Sequence, residues 1–131
     1  MVINNPAPPE QTWQLSTTKC DEWMTELDLA GSGNVEVGNF ISDNNAGRIA
    51  SILAACFGRS KNWKASRAVL PVNPDGVQLG ASANGELLDA VERGLHSIGL
   101  RIPGPHDIRP SYGGQIGIIV GTNPIDVHLE K

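Results

Sequence analysis

Between Arg101 and Gly114 the chain gathers Arg101, His106, Asp107, Arg109, Ser111 and Tyr112, then two glycines and the apolar run "QIGIIVG". These are the residue types of acid–base chemistry. An imidazole can take a proton, a carboxylate can hold the ring, and a guanidinium can clamp an anion. On that reading His106 and Asp107 are the catalytic candidates, with Asp126 as a second orienter. Arg101, Arg109 and Tyr112 would contact the ligand. The class of reaction would be that of a small hydrolase or lyase. Two features weaken the set. Neighbouring residues of an extended segment point to opposite sides, so adjacency alone does not make His106 and Asp107 a pair. Pro103, Pro105 and Pro110 each fix a backbone angle, which describes a stiff lead into the following strand. The segment therefore reads first as a connector whose polar groups meet a ligand or a neighbouring subunit.

A second candidate is the basic stretch "GRSKNWKASR", which sets Trp63 among Arg59, Lys61, Lys64 and Arg67. Cations neutralise phosphate and an indole face can stack on a base, so these five residues could bind a phosphate-bearing ligand or nucleic acid. Their setting is unusual. Residues 1–43 carry seven acids and Lys19 alone, residues 44–74 carry five bases and no acid, and residues 75–131 carry seven acids and four bases. The blocks sum to −6, +5 and −3, for a net charge of −4. The plainer expectation is that the basic block pairs with the acidic one, in the same chain or in a neighbouring copy.

Other motifs are incomplete. Gly80 and Gly85 have the outer spacing of a phosphate loop, but Glu86 and Leu87 stand where lysine and a hydroxyl residue are needed. Ser82 or Asn84 reads better as a helix cap. His96, His106 and His128 form no metal-binding spacing, and His96 reads as a partly buried core residue. No metal and no cofactor is implied. Cys20 and Cys56 do not make a disulfide framework, and reduced, buried thiols are expected. No apolar run approaches the ~20 residues that cross a bilayer, and "MVINNPAPPEQ" lacks the pattern of a signal peptide. A cytoplasmic location without membrane contact is the expectation.

The elements that must position these residues follow from periodicity. The chain has 131 residues, enough for one domain with its own core. Residues 1–11, with three prolines, read as an extended, flexible N-terminal arm, and 12–131 as a single domain. Trp23, Met24 and Leu27 suit a short helix capped by Thr17 or Thr18. Residues 35–41 alternate as a strand. Ser42, Asp43 or Asn44 caps a helix whose stripe is Ile49, Ile52, Leu53, Cys56 and Phe57, stopped by Gly58. Residues 67–72 and 77–80 flank the turn "NPDG" and read as a hairpin, with Pro71 marking an edge or an end. A helix over 85–98 buries Leu87, Leu88, Val91, Leu95 and Ile98. Residues 115–120 are apolar enough for a central strand, and 125–129 alternate like an edge strand. The fold class is α+β: a four- to five-stranded sheet with two main helices on one face. The leading functional expectation is a non-enzymatic, self-associating binding or assembly protein, hence a homo-oligomer.

Overall fold

The computed structural model describes residues 13–81, 86–104, 107–108 and 116–125. Its elements in chain order are α1 (Thr17–Ala30), β1 (Gly33–Phe40), α2 (Asn44–Phe57), β2 (Trp63–Leu70), β3 (Val77–Ala81), α3 (Glu86–Ser97), β4 (Asp107–Ile108) and β5 (Ile116–Val120). The strands form one mixed sheet in the order β2-β1-β5-β3-β4, with β4 a two-residue piece at the edge. β1 is parallel to β2 and to β5, and β3 runs antiparallel to β5. The fold is α+β.

The core follows from the period of two in each strand. The registers align Val35 with Ile116, Val37 with Ile118 and Asn39 with Val120, and they align Val77, Leu79 and Ala81 with the same three β5 residues. These residues share one face, and all are buried. The helices cover that face with Ile49, Leu53 and Phe57 of α2 and Leu88, Val91 and Leu95 of α3. Ile52, expected in the α2 stripe, is half-buried at its margin. β5 lies in the middle of the sheet, as its unbroken apolarity predicts.

The caps are local. Ser16 accepts the Lys19 N–H ahead of α1, in place of the expected Thr17 or Thr18. Asp43 accepts the Ala46 N–H ahead of α2. α1 is a full 14-residue helix, so the helical layer has three members where two main ones were expected. The residues 67–80 do not form a hairpin. β2 pairs with β1, the strand before α2, while β3 crosses to the other side of β5. The run from Pro71 to Gly76 spans that crossing. Turn chemistry alone could not reveal that two other strands lie between its arms.

Two contacts fix α1. Cys20 and Cys56 form a disulfide between α1 and α2, with Cα atoms 5.7 Å apart, which corrects the expectation of free thiols. Burial was read rightly, but the helices bring the two sulfurs together across 36 residues of sequence. Trp23 meets Phe57 edge-on at 5.1 Å and lies against Gly94 of α3. Its indole N–H is buried and has no acceptor. A Cβ on Gly94 would fall 1.9 Å from that nitrogen, so only glycine lets the helices approach this closely.

Gly94→Ala is therefore expected to destabilise the protein by about 1–3 kcal/mol, the range for overpacking a filled site. Urea unfolding followed by tryptophan emission measures it, and a Trp23→Leu background should recover part of the loss. Reduction of the disulfide should lower the stability by roughly 3–4 kcal/mol, the chain-entropy value for a loop of this length. Paired melts with and without reductant test this.

Candidate functional site

The basic segment is built onto α1. α2 ends at Gly58, and the chain turns under the last residues of α1 before entering β2. Asp28 organises the turn. Its carboxylate accepts Ser60 Oγ at 2.6 Å and the backbone N–H groups of Lys61 and Asn62 at 3.2 Å each. Asn62 Nδ2 donates to the Asp28 carbonyl. Nearby, Arg59 holds Asp21 through two hydrogen bonds of 2.7 and 3.2 Å. The start of the basic segment, Arg59 to Asn62, is thus held by two acids of the same chain.

Trp63 completes the attachment from inside. It is 2% exposed, packs towards Phe57, and donates its indole N–H to the Leu27 carbonyl at 3.2 Å. It offers no face on which a base could stack. Of the five basic-segment candidates, Trp63 alone is buried; Arg59, Lys61, Lys64 and Arg67 are exposed. Arg67 folds back across β1, donating to Val37 O at 2.7 Å and to Asn39 Oδ1 at 2.8 Å. Asn39 is the buried polar residue of the core, and Arg67 supplies its partner.

The C-terminal ends of the parallel strands are where an open sheet usually offers a ligand crevice. Here the chain's own loops are bound together. Arg101 grips both oxygens of Asp75 at 2.9 Å and donates to Asn123 O. Thr122 Oγ1 donates to Asn73 Oδ1 at 2.7 Å, and backbone bonds tie Gly76 to Gly121 and Thr122. Gly76 needs its positive φ, and a Cβ there would strike the Arg101 carbonyl. Arg101, the expected anion clamp, is therefore a cross-brace between loops.

His106, Arg109, Ser111, Tyr112, Asp126 and the side chain of Asp107 lie outside the described residues; the Asp107 backbone pairs with Gly80 in β4. The expected strand over 125–129 falls outside as well, except that Ile125 bridges to Leu100. His96 is not a core residue. It is about half exposed on α3, 3.6 Å from Glu92. No cluster that could hold a metal ion occurs among the described residues. None of their helices is long and apolar enough to cross a membrane.

What sequence reading missed is an exposed aliphatic corner. Ile41, Val69 and Val72 are 63%, 55% and 49% exposed. Ile41 N–H bonds Leu70 O, which sets Ile41 beside the C-terminal end of β2, where Val69 lies and the chain runs on to Val72. The signal was the β-branched run "RAVLPV" closed by proline. It marks an edge, but which edge is free depends on topology. The chain is an α+β protein with one mixed sheet under a helical layer. No protein-family model, curated protein or solved structure matches it.

The three braced carboxylates have a common electrostatic signature. Hydrogen bonds from Arg59 lower the pKa of Asp21 below its ordinary 3.8. Burial acts to raise that of Asp28, but the bonds from Ser60, Lys61 and Asn62 outweigh it and the result is also a lowering. Arg101 lowers that of Asp75. A lowered folded-state pKa gives stability that is present above the unfolded value and lost as pH falls through the folded value. Stability should therefore decline below about pH 4. The Asp21→Asn, Asp28→Asn, Asp75→Asn triple variant should be less stable at neutral pH and flatter in its acid limb. Urea midpoints across the acid range measure both.

Proposed function

We propose that this protein is a small, non-enzymatic assembly or binding protein that associates with copies of itself. The observation that carries the reading is the aliphatic corner of Ile41, Val69 and Val72. Clustered exposed apolar side chains are costly to leave in water and commonly mark a contact surface. The charges support an apolar rather than an ionic association. Arg59 and Arg101 already hold Asp21 and Asp75 within one chain. The burial of Trp63 favours this reading over a nucleic-acid or phosphate site on residues 59–67, where Arg59 already holds Asp21 and Arg67 already bonds Val37 and Asn39. The disulfide supports an oxidising compartment in place of the expected cytoplasm, where reductants keep most thiols free.

Sedimentation of the oxidised protein over a concentration series, at low and at high salt, tests the proposal. Association with little salt dependence is the expected result. A strict monomer at both salts would sink it.

A further inference from the structure

We infer that Asp75 and Gly76 form a latent site of spontaneous backbone isomerisation, and that Arg101 and the Thr122 carbonyl guard it by holding the reacting atoms apart. Asp75 is the only aspartate of the chain that is followed by glycine. A following glycine has no Cβ to shield its nitrogen. The reaction needs no enzyme. The Gly76 nitrogen attacks the side-chain carbonyl carbon of Asp75. Its proton and the hydroxyl of the protonated carboxyl leave as water, and a five-membered succinimide closes. Water then opens the ring. Opening at the original backbone carbonyl leaves the chain running through the side-chain carbon, as isoaspartate. One water leaves and one returns, and nothing is oxidised or reduced.

The structure opposes each part of this chemistry. Arg101 holds both carboxylate oxygens of Asp75, from Nη1 and Nη2 at 2.9 Å each, which fixes the plane of the group. Arg101 is itself held by the Asn123 carbonyl at 3.0 Å, so the fork is already in place. The pair favours the ionised carboxyl and keeps its pKa below the ordinary 3.8. The ionised form has no hydroxyl to lose. The Gly76 nitrogen is also engaged, because its N–H is donated to the Thr122 carbonyl. Neighbouring peptide groups are tied as well. Thr122 N–H bonds Pro74 O, Gly121 N–H bonds Gly76 O, and Val77 N–H bonds Arg101 O. Turning the Gly76 nitrogen onto the Asp75 side chain would break several of these bonds together. Solvent is no barrier, since the Asp75 side chain is 65% exposed. The site is thus reactive by sequence and by access, and it is restrained by bonding. Isomerisation would add one carbon to the main chain where these bonds leave no slack, and it would move the free carboxylate off Arg101.

Incubation of the full chain at neutral pH, folded and in urea, tests this. Peptide mapping that separates aspartyl from isoaspartyl peptides of equal mass gives the rate at residue 75. The folded wild type should isomerise on the order of tenfold more slowly than the unfolded chain. Arg101→Met, shown to be folded by circular dichroism, should raise the folded rate roughly fivefold, the scale of one exposed ion pair. Its rate in urea should match that of the wild type. Arg101→Lys keeps the charge but loses the fork, so its folded rate should fall between the two. Gly94→Ala loosens the contact of α1 with α3 and leaves this loop alone, so it should isomerise at the wild-type rate. If Arg101→Met fails to fold, Arg101→Lys decides: a folded rate above wild type supports the guard, and an unchanged rate overturns it. A wild type that isomerises as fast folded as unfolded, or not at all in urea, overturns the site. A folded Arg101→Met at the wild-type rate, or a Gly94→Ala that matches it, overturns the part given to Arg101.

Discussion

One face of a single sheet must be kept dry, and the rest of the structure answers to that constraint. Val35, Val37, Ile116, Ile118, Val120, Val77 and Leu79 all point the same way. Three helices are needed to cover them, since α2 spans the β1–β2–β5 side and α3 the β3 side, with α1 closing over both. α1 meets the sheet at Trp63, whose indole donates to the Leu27 carbonyl. It is held further by covalent and close contacts: a disulfide to α2, and an indole seated on the bare backbone of α3.

The same need accounts for the charge layout. A basic block beside an acidic block looks, in one dimension, like a binding surface waiting for a polyanion. In three dimensions the turn from α2 into β2 passes beneath the end of α1, and there Asp21 and Asp28 receive Arg59, Ser60, Lys61 and Asn62. Exposed ion pairs add little each. Several hydrogen bonds converging on one carboxylate fix where β2 begins, and so which residues of β2 face outward.

Much of the fold was legible. The stripes of α2 and α3, the Asp43 cap and the central place of β5 all follow from local pattern, because each is decided within one or two turns of chain. What was not legible depends on pairing between distant segments. Residues 67–80 looked like a hairpin because Asn73, Pro74, Asp75 and Gly76 are good turn residues. Nothing in them records that β1 and β5 would come between. The candidate site divides along the same line. Arg101 and Trp63 have side chains suited to a ligand, and both are used internally, by Asp75 and by the Leu27 carbonyl. A residue type states what a side chain can bind, and only the fold states what reaches it first.

The seat of Trp23 on Gly94 carries an evolutionary consequence. Either residue alone has almost no permitted neighbours in sequence space. A larger residue at 94 needs a smaller ring at 23, and a smaller ring at 23 opens a void that a side chain at 94 could fill. The two positions should therefore drift as a linked pair, glycine with tryptophan or a bulkier 94 with a slimmer 23. Relatives that keep this helix crossing would be recognisable by that exchange even where little else of the sequence is shared.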